Sequence, residues 1–338
     1  MNRRLLPLSA ALLLSLAAPA GAQVPAAPPA PPPVAPAPPP PPPPPPAQPG
    51  KASFAVSGGL ATRKHRYLAP GQAVRVRGTV KPFVAGQRVT VLVVRKGKVG
   101  KRLRAAVKPG RRAGSFSVRF KVGTPGRLRL AVKHDATPQQ VAFRARDKRV
   151  SVVDWRAGAG ARGTPVLLLQ RALRRSGFAT PVTGFYDAGT ARAVTAFRKT
   201  NNLGRDGFAS SAVYARLLRG QGGFRAKYPR AGRHVEFDWS RQVLALMNGR
   251  RPYRVYHASS GTPATPTVFG TFRFYRKDFG TNGLGMVHSS YFIRGYAIHG
   301  YHSVPNYPAS HGCIRVPIPN AYDIFRWIPR GMRIFVYV

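Results

Sequence analysis

The segment Ile298–Val316, IHGYHSVPNYPASHGCIRV, contains the one cysteine in a chain of 338 residues. This cysteine, Cys313, directly follows a glycine and stands two residues after His311 and two before Arg315. A thiol without a pairing partner is core filling, a metal ligand or a nucleophile. The adjacent Gly312 allows a sharp backbone turn and close approach of a substrate, which favours a nucleophile over core filling.

A nucleophilic thiol needs a base nearby, because cysteine at its ordinary pKa of about 8.5 is only a few per cent thiolate at neutral pH. Histidine serves as this base when a third group fixes its tautomer. No acidic residue lies between Phe279 and Tyr322, so we expect a backbone carbonyl as the third group. The C-terminal part of the chain offers six histidines: His234, His257, His288, His299, His302 and His311.

The residue types around Cys313 suggest further roles. The amide of Cys313 and a neighbouring amide would donate hydrogen bonds to a developing oxyanion. Arg315 would hold a carboxylate, either of the substrate or of a nearby acid. A zinc site formed by His299, His311 and Cys313 is the alternative, although the sequence has no His-Glu-x-x-His motif.

Residues 1–22 have the pattern of a secretory signal peptide. Two arginines precede an apolar run from Leu5 to Ala18, and Ala20-Gly21-Ala22 fits a small-residue cleavage site. The run is shorter than the roughly 20 apolar residues of a spanning helix, so we expect export, with an uncleaved anchor as the alternative. A free thiol in an oxidising compartment is a liability unless the protein uses it, which again favours a nucleophile.

The charge is strongly positive, with 55 Lys and Arg against 9 Asp and Glu and a net charge of +46. In a cytoplasmic protein this excess would indicate nucleic-acid binding, but export argues against nucleic acid as a partner. Outside a bacterial membrane the expected polyanions are peptidoglycan carboxylates and acidic wall polymers, and a basic surface without a specific partner is the equal alternative. One glutamate and eight aspartates supply no convincing carboxylate pair for a glycosidase.

Composition divides the rest of the chain into four parts. Residues 23–50 are almost entirely proline and alanine, which predicts an extended linker. Residues 51–153 hold short strands of alternating Val and Arg, such as AVRVRGTV from Ala73, which predict a β-sandwich-like module without a catalytic residue set. Residues 156–220 have helical periodicity and Gly-rich turns, which predict a small three-helix domain. Residues 233–338 are mostly β and long enough for their own core.

Local signals place several element boundaries. Thr164-Pro165 predicts an N-cap followed by proline at the first helical position, and Asp187 predicts the cap of a second helix. Asn248-Gly249 predicts the turn of a hairpin whose two strands fill segment 234–261.

The helical segment LQRALRRSGF…VTGFYDAGTARAVTAFRKTNNL…DG…SAVYARLL resembles the three-helix peptidoglycan-binding domain of many cell-wall enzymes. That resemblance implies peptidoglycan as a partner. Arg198 stands where this family usually has a glutamine.

The quoted segment Ile298–Val316 resembles the active-site signature of the L,D-transpeptidases, the family with a YkuD-like catalytic domain: His-Gly, a loop, then Ser/Thr-His-Gly-Cys-x-Arg. Upstream, TPTVFGTFRF from Thr265 resembles that family's Thr-Pro-x-Gly segment. The resemblance covers about residues 233–338. It implies a nucleophile, a general base and a backbone carbonyl that orients the base, at Cys313, His299 and Gly300 respectively.

Further roles follow from the same resemblance. His311 and Gly312 would shape the oxyanion region, while Ser310, Tyr301 and Arg315 would support and bind the substrate. The loop from His299 to Ser310 is short, which affects the groove for the second substrate.

The family implies an exported peptidoglycan L,D-transpeptidase of the bacterial cell wall, active in peptidoglycan biosynthesis and cell shape. Such an enzyme forms 3→3 cross-links through a cysteine thioester and releases D-alanine from tetrapeptide stems. We expect carbapenems as covalent inhibitors, no metal or other cofactor, and a monomer. The alternatives are an L,D-carboxypeptidase of the same chemistry and a non-catalytic wall-binding protein.

Overall fold

The structure is a computed structural model that describes residues 43–338. The predicted signal peptide and most of the predicted linker therefore lie outside the described residues. Within residues 43–338, no helix has the length and apolar character needed to cross a membrane.

Residues 51–153, the β module, form two sheets around one core. Ten strands are present: Lys51–Ser57 (β1), Leu60–Ala61 (β2), Arg66–Leu68 (β3), Ala73–Lys81 (β4), Arg88–Arg95 (β5), Lys98–Ala106 (β6), Gly114–Lys121 (β7), Gly126–His134 (β8), Phe143–Arg144 (β9) and Lys148–Val152 (β10). One sheet has the order β1-β4-β7 and the other β2-β3-β10-β8-β5-β6, with β9 beside β8. Valines of both sheets, including Val74, Val76 and Val91, share one buried cluster. The sheets therefore form a sandwich.

Residues 156–220, the helical domain, contain three helices: Thr164–Arg175 (α1), Ala188–Thr200 (α2) and Ser211–Leu218 (α3). Asp187 caps α2 as predicted, because its carboxylate accepts a hydrogen bond of 2.7 Å from the Thr190 amide. The predicted cap of α1 was wrong by one residue. Gly163 is the N-cap at φ 99°, a conformation that glycine adopts readily, and Thr164 already lies within the helix.

Residues 233–338, the C-terminal domain, contain nine strands and one helix: Arg233–Asp238 (β11), Val243–Asn248 (β12), Arg251–His257 (β13), Gly270–Arg273 (β14), Arg276–Thr281 (β15), Val287–Ile293 (β16), Tyr296–Tyr301 (β17), Ile314–Pro317 (β18), Ile318–Trp327 (α4) and Arg333–Tyr337 (β19). Five strands form a sheet of order β13-β12-β11-β19-β14 and four form a sheet of order β15-β16-β17-β18. Residues of both sheets and of α4 share a buried cluster. The predicted multidomain class, with a small helical domain and a mostly-β C-terminal domain, is confirmed.

The hairpin prediction in segment 234–261 was wrong in two respects. The segment holds three strands, because the chain turns between Asp238 and Val243, where Gln242 adopts φ 54°. The second turn is displaced by one residue: Asn248 pairs with Arg251, so Gly249 and Arg250 are the turn residues. Tertiary pairing, rather than the local Asn-Gly signal, sets this register.

The helical domain and the C-terminal domain share a continuous apolar core. Helical-domain residues such as Leu169 and Phe197 lie in the same buried cluster as Val243, Met247 and Val255 of the C-terminal sheet. The β module joins the same cluster through Leu60 and Ala69. The three parts of the described chain are therefore held by packing as well as by covalent connection.

Lys199 of α2 is buried at this junction. Its ammonium nitrogen lies 2.8 Å from His257 Nδ1, 3.0 Å from the Ala258 carbonyl oxygen and 3.2 Å from the Gln242 carbonyl oxygen. His257 Nε2 lies 2.8 Å from the Val304 carbonyl oxygen, which can only accept, so Nε2 carries the proton and Nδ1 is free to accept from Lys199. Burial lowers the pKa of both side chains.

Arg198, where the helical family usually has glutamine, serves the loop between α2 and α3. Its guanidinium donates to the Asp206 carboxylate at 2.7 Å and to the carbonyl oxygens of Gly204 and Phe208 at 2.5 and 3.1 Å. These contacts use the side chain within its own domain.

Glu236, the one glutamate of the chain, is buried in β11 and is fully hydrogen-bonded. Its carboxylate accepts hydrogen bonds of 2.8 to 2.9 Å from the amides of Lys227 and Tyr228, from His234 Nε2 and from the Tyr337 hydroxyl. Burial alone would raise its pKa, but these four donors hold the pKa below its ordinary value. Glu236 thus ties the central strand β11 to the segment at Lys227 and Tyr228 and to Tyr337 of β19.

Replacing Glu236 with glutamine should destabilise the fold by about 2 kcal/mol, because the new amide group would face donors and leave at least one of them unpaired. The measurement is the urea midpoint followed by tryptophan fluorescence. Asp135→Asn is the matched control, since this carboxylate is exposed and contacts only Lys133. Equal midpoints for the two variants would contradict the structural role given to Glu236.

Candidate active site

The quoted segment folds into two neighbouring parallel strands joined by a loop. In the pairing of β17 with β18, Ile298 lies opposite Ile314 and His299 opposite Arg315. Cys313 immediately precedes β18 and packs against Ala297, which alternation along β17 places on the same side of the sheet as His299. The sheet therefore brings the predicted nucleophile, base and arginine to one face.

A network of short hydrogen bonds holds the turn before Cys313. The buried Ser310 hydroxyl donates to the Cys313 carbonyl at 2.5 Å and accepts from the Gly312 amide at 3.1 Å. The Thr267 hydroxyl donates to the Gly312 carbonyl at 2.7 Å. The Gly312 amide is thus committed to the turn, and the Cys313 amide remains as the candidate oxyanion donor.

Gly312 occupies a position that admits no side chain. Its φ is 117°, and a Cβ built there would lie 2.1 Å from a ring carbon of Tyr296. Both the backbone conformation and the space require glycine at this position.

The Cys313 thiol lies against a small apolar cluster of Met286, Tyr291 and Ala297. Its Sγ accepts from the Ala297 amide at 3.4 Å and lies 3.6 Å from the Gly295 carbonyl oxygen. Burial raises the pKa of the thiol, and the Ala297 amide and the charge of Arg315 offset this only in part. Cys313 is therefore a neutral thiol at pH 7 and requires a base.

His299 is buried and its tautomer is set by the backbone. Nδ1 lies 2.9 Å from the Gly300 carbonyl oxygen, which can only accept, so Nδ1 carries the proton and Nε2 keeps its lone pair. Burial lowers the pKa of His299 to about 4; the Gly300 contact opposes the shift and the charge of Arg315 adds to it. The imidazole is therefore neutral at pH 7 and able to take a proton.

Arg315 stacks on Tyr301. The guanidinium carbon lies 4.1 Å from the centroid of the Tyr301 ring, which in turn packs edge-on to His299 at 5.7 Å. No carboxylate within the described part of the chain forms an ion pair with Arg315. The stacked cation is thus available to an anionic group of a ligand.

The remaining histidines lie in different environments. His311 is exposed, His234 binds Glu236, and His288 accepts from the Gly280 amide at 3.1 Å. Across residues 43–338 there is no cluster of three or more His, Cys, Asp and Glu side chains placed to hold a metal ion.

The loop between β17 and β18 is anchored by contacts that the sequence analysis did not find. The Arg205 guanidinium, from the helical domain, donates to the Asn306 carbonyl at 2.7 Å, and Asn306 Nδ2 donates back to the Arg205 carbonyl at 2.5 Å. Val304 is held by His257, and the Ser259 hydroxyl donates to the Tyr307 carbonyl at 2.6 Å. The basic residues that follow α2 are visible in the sequence and suggest a contact of some kind. Only the fold shows that Arg205 contacts Asn306.

Two family models match the chain. Residues 232–336 match the L,D-transpeptidase catalytic domain (YkuD), and residues 162–217 match a peptidoglycan binding domain. None of the curated proteins matches the chain.

Several solved structures are similar to parts of this chain. An L,D-transpeptidase from Xylanimonas cellulosilytica is 32% identical over 55% of this chain and 98% of that chain, with a TM-score of 0.49. An L,D-transpeptidase from Stackebrandtia nassauensis is 15% identical over 54% of this chain and 95% of that chain, with a TM-score of 0.34. The catalytic domain of an Enterococcus faecium L,D-transpeptidase, acylated by ertapenem, is 24% identical over 31% of this chain and 97% of that chain, with a TM-score of 0.27.

Replacing Gly312 with alanine should lower the rate at which iodoacetamide alkylates Cys313 by at least tenfold. A left-handed backbone costs a non-glycine residue about 1–2 kcal/mol, and the new methyl group displaces the turn from Tyr296. The rate is measured by mass spectrometry of the intact protein. Gly283→Ala is the control, because nothing lies within 4 Å of a Cβ built there. Similar rates in both variants would mean that the turn does not position the thiol.

Proposed function

Because the chain belongs to the L,D-transpeptidase family through residues 232–336, we propose that it is an exported enzyme that forms 3→3 cross-links in peptidoglycan. The catalytic domain makes it a peptidoglycan-modifying acyltransferase. The cross-link type, the thioester and the site roles below are the parts that the proposal adds.

One observation carries the proposal: the neutral, Nδ1-protonated His299 lies on the same face of the sheet as the neutral thiol of Cys313. A base with a lone pair on Nε2 and a thiol that retains its proton are the two groups that a general-base acyl transfer requires. The Gly300 carbonyl takes the orienting place that a carboxylate has in the serine triads.

In the proposed reaction, Cys313 Sγ attacks the carbonyl carbon that precedes the terminal D-alanine of a tetrapeptide stem, and His299 Nε2 takes the thiol proton. The Cys313 amide donates to the oxyanion. The carbon–nitrogen bond then breaks, the imidazolium returns the proton to the leaving amine, and D-alanine departs. A thioester to Cys313 remains.

The second half of the reaction uses an amine from the diamino acid of a neighbouring stem. This amine attacks the thioester carbonyl and gives a proton to His299, and the Cys313 sulfur leaves and regains that proton. The product is the 3→3 cross-link. Water in place of the amine would give the tripeptide of an L,D-carboxypeptidase.

Arg315 and Tyr301 are proposed to bind the substrate. The guanidinium has no ion pair with any described residue and is held flat on the ring, so it can take a stem carboxylate without reorganisation. Ser310 and Gly312 hold the turn, and the exposed His311 borders it.

The place of action is proposed to be the bacterial cell wall. The signal-peptide pattern of residues 1–22, the peptidoglycan binding domain at 162–217 and the net charge of +46 support this location and an attraction to acidic wall polymers. We further expect carbapenems to acylate Cys313 and the enzyme to act as a monomer without nucleic acid as a partner.

The full chain, mixed with a disaccharide tetrapeptide, should yield a cross-linked dimer and free D-alanine, and Cys313→Ala should yield neither. Mass spectrometry identifies the products. A tripeptide monomer as the sole product would replace the proposal with an L,D-carboxypeptidase. Turnover by Cys313→Ala would show that Cys313 is not the nucleophile. Absence of turnover in both proteins would favour a non-catalytic wall-binding protein.

The pH dependence of D-alanine release should report His299. Because burial holds the pKa of His299 near 4, kcat/KM should be flat from about pH 5 to 7.5 and fall to half near pH 4, where the imidazole gains a proton. His299→Gln should lower kcat/KM by 10²- to 10⁴-fold at pH 7 and recover part of it at alkaline pH as the thiol ionises.

His65→Gln is the control for this profile, since His65 lies in the β module and contacts Ser151. An acid limb near pH 6.5 in the wild type, or an unchanged profile in His299→Gln, would contradict His299 as the base.

A further inference from the structure

Arg192 of α2 is a half-buried cation that forms no ion pair with the described residues. Its side chain forms no hydrogen bond with any of residues 43–338, and its Nε is fully buried without a hydrogen-bond partner. The charge of Asp187 attracts the guanidinium, but burial outweighs it and lowers the pKa of Arg192, and the Asp187 carboxylate is hydrogen-bonded to the amide and hydroxyl of Thr190 at 2.7 Å. Burial of an unpaired cation costs free energy, which an anionic ligand would offset.

Arg192 lines a cleft between the helical domain and the C-terminal domain with a volume of about 500 Å³. One wall is formed by α2, through Arg192 and Thr195. The other wall comes from the C-terminal domain, through His257, Tyr301 and Val304. The lining includes no acidic side chain, so the cleft is suited to an anion.

The cleft begins where the candidate active site ends. Tyr301, which lines the cleft, carries Arg315 on its ring at 4.1 Å, and Arg315 pairs with His299 across β17 and β18. A ligand that extends along the sheet from the Cys313 thiol past Arg315 would therefore reach Arg192.

The walls of the cleft are held in fixed relation. Lys199, seven residues after Arg192 on α2, contacts His257 and the carbonyls of Gln242 and Ala258, and His257 binds Val304. Arg205 and Asn306 add the second tie between the two domains. A site with walls fixed in this way loses little conformational entropy when a ligand binds.

We propose that this interdomain cleft binds a carboxylate of a peptidoglycan stem, with Arg192 as the anion contact. The inference rests on the proposed function for the identity of the ligand and extends it with a subsite that both domains build. Stem peptides carry several carboxylates. Arg192 therefore binds a carboxylate other than the one held by Arg315, either on the same stem or on a neighbouring stem. The helical domain then contributes to substrate selection as well as to wall attachment.

The test is binding of two forms of one soluble ligand to the full chain carrying Cys313→Ala, so that no turnover occurs. The ligands are a disaccharide tetrapeptide with free stem carboxylates and the same compound with those carboxylates amidated. Isothermal titration should give tighter binding of the free acid. Adding Arg192→Gln should weaken binding of the free acid about tenfold and reduce the preference for it by the same factor, as expected for the loss of one charge-assisted hydrogen bond, while Arg315 retains the rest of the preference.

Two further variants keep the test specific. Arg192→Lys retains the charge and should bind the free acid within threefold of the reference protein. Arg174→Gln, at an exposed arginine of α1, should bind both ligands as the reference does. Thermal unfolding of each variant identifies any loss of folded protein.

The proposal is overturned if Arg192→Gln binds both ligands as the reference does, or if it weakens both by the same factor, which would indicate a structural effect. It is also overturned if the reference protein binds neither ligand. Failure of the proposed function would appear separately, as missing turnover in the protein that retains Cys313.

Discussion

The buried amino group of Lys199 is the polar contact that ties the helical domain to the C-terminal domain and to the loop beside the candidate active site. It leaves α2, enters the C-terminal domain and lies within 3.2 Å of two carbonyl oxygens and of His257 Nδ1. Burial of such a group is unfavourable, as the lowered pKa indicates, and is tolerated because no acceptor is missing. Since His257 in turn donates to Val304, the same contact fixes the loop that follows β17. Domain docking and loop position are therefore one structural event.

The thiol of Cys313 and the imidazole of His299 are both neutral before reaction, and this determines when the proton is transferred. A raised thiol pKa and a lowered imidazole pKa disfavour a standing thiolate–imidazolium pair. The proton must then move while the sulfur attacks. A thiol that ionises only during reaction is also a poor target for oxidants. The apolar packing of Met286, Tyr291 and Ala297 around Cys313 thus serves both stability of the thiol and control of its reactivity.

Sequence reasoning reached the features that depend on short-range chemistry. Gly312 could be predicted because a turn beside a nucleophile needs glycine, and the His299 and Cys313 segments could be recognised from their resemblance to the family signature; the fold places them on or beside two adjacent parallel strands. The lack of acids near the motif also predicted a carbonyl beside the histidine, which is where His299 Nδ1 points. The α2 cap at Asp187 was equally local.

The contacts that sequence reasoning missed join residues far apart in the chain. Lys199 and His257 are 58 residues apart, and Arg205 and Asn306 are 101 apart, so no local pattern relates them. The predicted turn at Asn248-Gly249 was displaced for a similar reason, because the neighbouring strands rather than the turn residues set the register.

Strand β6 is hard to recognise from the sequence for another reason. Most of its residues are exposed, so it lacks the alternation of apolar and polar residues that marks a half-buried strand.

The scarcity of acids explains how the site is built. The few carboxylates are used structurally: Asp147 and Asp206 pair with arginines, Asp187 caps α2, and Glu236 is buried under four donors. Cationic and imidazole groups elsewhere therefore turn to backbone carbonyls, as Lys199, His257, His299 and Arg205 all do. A carbonyl orients such a group without neutralising its charge. Arg315 and Arg192 are left without ion pairs to the described residues, so their positive charge is available to the proposed ligand. The composition that disqualifies acid-pair chemistry is the same property that suits this face to an anionic substrate.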